Sequence, residues 1–303
     1  MAMVDIFIPC YNAERFLQQT IDSIKKQTYQ DYRVIVVDDG STDHSMEILQ
    51  KYAKEDHRVL IYRNDGNQGV AYTRNRGLQL CDSKYMAFMD ADDIMPEYRL
   101  EKEVGYMEAH PECDVISGNY QLMDEDGRLG AVVKLGEKNT DEVYSALFFE
   151  NVIANGTALF RTSFYRNHKI DFLDKYAGLE DYDFWVESML AGAKMHIMDE
   201  VFLFYRVVQS GLSRMNSSEE KIRYRNQCFL NIHRKILDGY GIRLSEREQE
   251  MFFEYTTEVL PDKRTRRKNF WMLCKLVYEL KKQNPFRTRS FINACNQFKR
   301  KAR

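Results

Sequence analysis

The sequence lacks most of the short motifs that would assign a chemistry at a glance. Its six cysteines (Cys10, Cys81, Cys113, Cys228, Cys274, Cys295) form no Cys-x-x-Cys pair, which argues against a zinc ribbon or disulfide framework and fits reduced thiols. The six histidines are equally dispersed, with no His-Glu-x-x-His arrangement. No apolar stretch approaches the roughly 18 residues that span a bilayer. The opening Met-Ala-Met-Val-Asp has no charged-then-apolar layout of a signal peptide. There is no internal repeat and no low-complexity tract. Gly-x-Gly-x-x-Gly is missing after the first apolar run, which counts against a dinucleotide-binding fold. Gly-x-x-x-x-Gly-Lys-Ser/Thr is missing altogether, which removes the P-loop reading. Together these absences predict a cytoplasmic globular chain.

What is present suits an ordered protein with a sizeable core. Of 303 residues, 44% are hydrophobic and 30% charged, enough for one large or two modest domains. The net charge of −2 conceals an asymmetry. Pro261 to Arg303 holds 14 Lys/Arg against 2 Asp/Glu, a net of +12, so the rest of the chain carries −14. The two parts should behave differently near anionic surfaces.

The first 110 or so residues alternate strand and helix signals, the mark of βαβ units and a parallel sheet. Val4 to Pro9 reads as a strand, followed by a helix with Phe16, Leu17, Ile21 and Ile24 on one face. Tyr32 to Val37 is a second strand, and Asp43 a candidate cap for the helix carrying Met46, Ile48, Leu49 and Tyr52. A third strand (Val59 to Tyr62), a helix from Gly69 to Leu80 and a fourth strand ending at Asp90 follow, and a fifth begins at Asp114. Asp124-Glu125-Asp126-Gly127-Arg128 predicts a hairpin turn. Thr140 to Phe149 and Glu180 to Leu190 read as helices, Met195 to Val208 as extended chain, and everything from Glu219 as helical.

Five segments carry candidate chemistry. Asp90-Ala91-Asp92-Asp93 follows the apolar run Tyr85 to Met89, so its carboxylates emerge at the edge of the sheet where ligands of open α/β folds sit. Clustered carboxylates repel and resist desolvation, which points to Mg²⁺ or Mn²⁺ sharing phosphate oxygens, or simply to a hydrated acidic turn capping the next helix. Asp38-Asp39-Gly40-Ser41-Thr42-Asp43 is a second acidic turn. It is either a strand-to-helix connection or a place where a carboxylate accepts hydrogen bonds from a uracil imide or a ribose. In Pro9-Cys10-Tyr11-Asn12, Tyr11 could stack on a base or pack into the core. In Asn67 to Gly77, Arg74 and Arg76 would lie near the crevice, able to pair with a diphosphate or to face solvent. Further on, Glu180, Asp181 and Asp183 open a helix whose anchor is Phe184 and Trp185. Acidic residues suit a first helical turn in any case; Asp181 is the one best able to point into the cleft as a general base.

In this order and roughly this spacing, the segments resemble the inverting glycosyltransferases of family 2, over about residues 1–215. The resemblance implies a GT-A fold: a Rossmann-like, mostly parallel sheet flanked by helices. It implies a nucleotide-binding half over 1–120, an acceptor half over 121–215, and a helical C-terminal region over 216–303. It also implies roles. Tyr11 and Asp38 would hold the donor's base, with Pro9, Asp39, Asn67 and Arg74 nearby. Asp90-Ala91-Asp92 would be the Asp-x-Asp motif, with Asp92 on Mn²⁺ or Mg²⁺ and Asp90 on the ribose or the metal. Asp181 would be the base. The activity implied is transfer of a single sugar from a nucleotide sugar, a UDP-sugar by preference, to a glycan or lipid-linked acceptor. Two departures stand out. Tyr205-Arg206-Val207-Val208 has valine where non-processive relatives often carry histidine, and the Gln-x-x-Arg-Trp of processive synthases is absent. A sugar-nucleotide nucleotidyltransferase is an alternative, although no Gly-rich basic segment follows the first strand. A catalytically dead, membrane-associated scaffold is another.

Lys268 to Gln283 places Phe270, Trp271, Leu273, Cys274, Val277 and Leu280 broadly opposite Lys275, Lys281 and Lys282. Such a helix can lie on an anionic membrane surface or pack on the catalytic domain or a second copy in a homodimer. No nucleic-acid recognition module is visible. Deleting the chain from Pro261 is expected to weaken sedimentation with anionic liposomes; unchanged partitioning would assign the tail to packing.

Overall fold

The computed structural model describes residues 2–176, 178–208 and 219–249. The predicted alternation opens the chain: β1 (Val4–Cys10), α1 (Leu17–Lys25), β2 (Tyr32–Asp38), α2 (Ser45–Glu55), β3 (Val59–Arg63), α3 (Val70–Leu80), β4 (Tyr85–Phe88) and α4 (Arg99–Ala109). There follow β5 (Val115–Met123), β6 (Leu129–Val133), α5 (Thr140–Leu147), β7 (Leu159–Arg161), α6 (Thr162–His168), α7 (Glu180–Leu190), β8 (Met195–Arg206) and α8 (Glu219–Gly239). Among the described residues, eight strands form one sheet in the order β3-β2-β1-β4-β7-β5-β6, with β8 also paired to β5. The pairs β1–β2, β1–β4, β2–β3 and β5–β8 are parallel, whereas β7 runs antiparallel to both β4 and β5.

Parallel strands buried on both faces read as continuous apolar runs, and their side chains alternate between two cores. Phe7 joins Phe88, Phe160 and Phe184 on one face, while Ile6 and Ile8 join Val34, Val36, Leu17 and Leu100 on the other. Register brings the functional ends level. Cys10 pairs with Asp38, Asp38 with Arg63, and the N–H of Met89 donates to Phe7 O at 3.0 Å. The acidic turn therefore leaves the sheet beside Pro9 and Cys10.

Several local readings shift. β4 ends at Phe88, two residues before Asp90. Asp43 does cap α2, its Oδ1 accepting the Ser45 N–H at 3.0 Å, although the N-cap position itself is His44. Asp93 caps nothing: α4 starts only at Arg99, and Asp93 is fully buried. The three-residue β7 was too short to read from sequence, yet it joins the two halves of the sheet. The domain boundary expected at 215 and the basic segment Lys268–Gln283 lie outside the described residues. Among the described residues, no helix is long and apolar enough to cross a membrane.

α7 is held from both sides. Phe172 and Tyr165 stack on Phe184 with centroids 4.1 and 4.9 Å apart. From α8, Lys235 pairs with the buried Asp183 and, at 2.6 Å, with Glu187. Burial pushes the Asp183 carboxyl upward against the pull of Lys235. Removing one partner of such a pair strands the other charge, so Lys235→Met is expected to cost about 3 kcal/mol of stability in urea unfolding. Adding Asp183→Asn should recover most of that, and a loss below about 1 kcal/mol in the single variant would class the pair with exposed salt bridges.

Candidate active site

The site is assembled from loops at one edge of the sheet. After β1, Asn12 adopts a left-handed conformation (φ 48°) in which its N–H donates to Ser41 Oγ (2.9 Å) and its Oδ1 accepts from the Thr42 N–H (2.9 Å). This ties the Pro9–Asn12 segment to the turn after β2 and leaves Tyr11 48% exposed, able to stack on a planar ligand. Gly40 takes φ 76°, and a Cβ there would lie 2.6 Å from Gly66 C and 2.9 Å from Asn67 N. Only glycine allows the Asn67 loop to close on the acidic turn.

The two aspartates of that turn have different surroundings. Asp39 is buried, and its carboxylate accepts from the Gln68 and Gly69 N–H groups (both 2.9 Å) and from Asn64 Nδ2 (2.6 Å). It therefore braces the loop before α3. In Asp38, Oδ2 takes the Ser41 N–H (3.2 Å) and pairs with Arg63 Nε (3.1 Å), while the buried Oδ1 has no partner among the described residues. A buried acceptor without a donor is costly, and an imide N–H is the kind of group that would satisfy it. Arg63 has no place in any of the sequence motifs; its register opposite Asp38 comes from strand pairing.

After β4, Asp90 and Asp92 are partly exposed, and Ala91 is buried. Burial first, and the neighbouring Asp90 charge second, push Asp92 up to about 6. Asp93 is withdrawn from this pair: its Oδ1 accepts the Arg206 N–H (2.7 Å) and its carbonyl accepts Thr20 Oγ1 (2.8 Å). The buried Arg206 guanidinium donates to Asp92 O (2.7 Å), Gln19 Oε1 (2.7 Å) and Glu125 O (3.1 Å). This fixes the acidic turn against α1 and the hairpin tip. Asp90 and Asp92 fit a hard divalent cation of the Mg²⁺ or Mn²⁺ kind, which is commonly held by one or two carboxylates and completed by substrate phosphates. Among the described residues, no group of three or more His, Cys, Asp or Glu is placed to hold a metal ion by itself.

Arg74 links this turn to α7. It is buried on α3, its guanidinium 5.4 Å from the centre of the Phe172 ring, with Nη1 2.9 Å from Glu180 Oε1 and Nη2 3.7 Å from Asp90 Oδ1; its Nε has no partner among the described residues. Glu180 also accepts the Gly178 N–H at 2.7 Å. Asp181, next along, has Oδ1 on the Tyr182 N–H (2.7 Å) and Oδ2 on Asn151 Nδ2 (3.0 Å). Burial pushes Asp181 up to about 6, opposed by Arg74 and assisted by Glu180 and Asp90. Asp90, Arg74, Glu180 and Asp181, read from three separate segments, thus form one group. Asn67 stays exposed at the rim, its Oδ1 accepting the Gly69 N–H at 3.1 Å.

The model of the family "Glycosyl transferase family 2" matches residues 5–167. The chain belongs to that family. It is 33% identical to an uncharacterized glycosyltransferase of Haemophilus influenzae over 72% of this chain and 69% of the relative. It is 28% identical to the Escherichia coli UDP-Glc:alpha-D-GlcNAc-diphosphoundecaprenol beta-1,3-glucosyltransferase WfaP, over 84% of this chain and 92% of that one. Among solved structures it resembles S. aureus TarS in complex with UDP-GlcNAc (TM-score 0.66, 17% identity, 99% of this chain and 88% of that one). It also resembles the mannosyltransferase PcManGT of Pyrobaculum calidifontis with GDP-Man and Mn²⁺ (TM-score 0.59, 16% identity, 98% and 80%). These likenesses establish the GT-A fold of the transferase, and family membership answers the nucleotidyltransferase alternative.

Proposed function

We propose that the transferase moves a single sugar from a UDP-sugar to an acceptor hydroxyl, with inversion, in the synthesis of a surface glycan or lipid-linked oligosaccharide. The observation that carries the proposal is the Arg74 bridge, which draws the acidic turn after β4 and the N-terminus of α7 to one cleft. Tyr11 and Asp38 are assigned to the base of the nucleotide, with Pro9 and Asn67 at its edge and Asp39 supporting the loop. Asp92, with Asp90, is assigned to Mn²⁺ or Mg²⁺. The sugar-nucleotide complexes of TarS and PcManGT and the lipid-diphosphate substrate in the WfaP name support the substrate classes.

Bound there, the cation would neutralise charge on the leaving diphosphate, so that no protein acid is needed on that side. Asp181 acts on the opposite face of the sugar, taking the proton of the acceptor hydroxyl as the oxygen attacks the anomeric carbon. Arg74 holds Glu180 beside Asp181 and presents a fixed positive charge toward Asp90. The retained Asp90, Asp92 and Asp181 weigh against a catalytically dead scaffold.

UDP is expected to bind more tightly with Mn²⁺ than with chelator in calorimetry, and equal affinity would remove the metal assignment. Asp181→Asn should lower kcat by about 100-fold or more while leaving UDP affinity intact; near-normal turnover would remove Asp181 as the base. A base acts only when ionised, so wild-type kcat/KM is expected to rise with pH through about 6 and to level off above it.

A further inference from the structure

The loop between α5 and β7 contributes Asn151, which belongs to none of the sequence motifs. Both ends of its side chain are engaged. Oδ1 accepts the Ile153 N–H at 3.1 Å, closing an Asx turn, and Nδ2 donates to Asp181 Oδ2 at 3.0 Å. A backbone N–H can only donate and an ionised carboxylate can only accept, so the amide has one consistent orientation. The loop itself is anchored, because Val152 and Ile153 are buried in the aromatic core beneath α7.

We propose that Asn151 is a positioning residue for the transfer reaction: its amide holds the Asp181 carboxylate in the orientation from which it takes the acceptor proton. The proposal rests on Asp181 being the base. The charged groups that act on Asp181 are Arg74 from α3, Glu180 on α7 and Asp90 from the turn after β4. Arg74 is committed to Glu180. Asn151 is thus the neutral side-chain donor to Asp181, favouring the ionised carboxylate without adding charge and restraining its rotation about χ2. The remaining lone pairs of the carboxylate are left to the acceptor.

Asn151→Asp provides the decisive test, because it keeps the oxygen that accepts the Ile153 N–H while replacing the donor facing Asp181 with a second carboxylate oxygen. The turn therefore survives and the orienting bond does not. The expected result is a loss of kcat of about 10- to 100-fold, with donor KM close to wild type and a lowered Tm that recovers as the pH falls and the two carboxylates share a proton. The acid limb of kcat/KM should move up by about one pH unit or more as two carboxylates share the site. The ¹³C carboxyl titration of Asp181 should move the same way, independently of turnover. Asn151→Ala should lose kcat as well, with a smaller upward shift. Wild-type kcat and an unmoved Asp181 titration in Asn151→Asp, or loss confined to Asn151→Ala, would reduce Asn151 to its turn and overturn the proposal. Asp181→Asn run alongside separates the two failures. If it is inactive while Asn151→Asp is normal, only the positioning role falls; if it turns over normally, the base assignment falls first.

Discussion

The arrangement at the edge of the sheet depends on one buried guanidinium. Asp90, Asp92, Glu180 and Asp181 come from two chain segments some 90 residues apart, and like charges repel strongly where water is thin. A pair of unit charges 4 Å apart is worth about 4 kcal/mol at an effective dielectric near 20. Arg74 supplies the compensating charge, at 2.9 Å from Glu180 and 3.7 Å from Asp90. Its guanidinium lies over the ring of Phe172, which stacks at 4.1 Å on Phe184 of α7. The aromatic core thus sets where the positive charge stands, and that charge allows the acidic segments to meet.

The second constraint is the division of labour along α7. Glu180 meets Arg74 and Asp181 meets Asn151, Phe184 and Trp185 are buried, and Asp183 turns to Lys235 of α8. Tyr182 is buried, donates to Leu147 O at 2.6 Å, and lies 3.4 Å from His233, whose imidazole burial pushes down to about 3. Two opposed influences act on the first turn. The helix N-terminus favours a carboxylate, while burial favours the acid, and Asp181 ends raised to about 6. That value suits the role of base proposed for it, since a base works best with a pKa near the operating pH.

Much of the first half was legible in the chain. Strand and helix alternation to residue 110 follows from apolar runs separated by polar turns, since a parallel sheet buries both faces of every strand. The acidic turns could be found because they end such runs. The second half was less transparent: β7 is three residues long, and its insertion between β4 and β5 leaves no periodicity to read. Arg63, Arg206 and Asn151 illustrate the same limit within the site. Arg206 lay in a segment noted only for a missing histidine, and Asn151 in a loop with no pattern at all.

From sequence alone come the fold class, the family and the residue types at the ends of the strands, because hydrophobic periodicity and turn chemistry are local properties of the chain. Tertiary structure alone decides which of several equivalent carboxylates are available. Asp38 and Asp39 are neighbours of identical chemistry, yet Asp39 is filled by three donors and Asp38 keeps a vacant oxygen. Asp92 and Asp93 differ likewise, one partly exposed beside Asp90 and the other buried under the Arg206 N–H. The physical reason is that a carboxylate's role depends on its donors and its solvation. Those are supplied by residues tens to more than a hundred positions away, brought near only by strand register and helix packing.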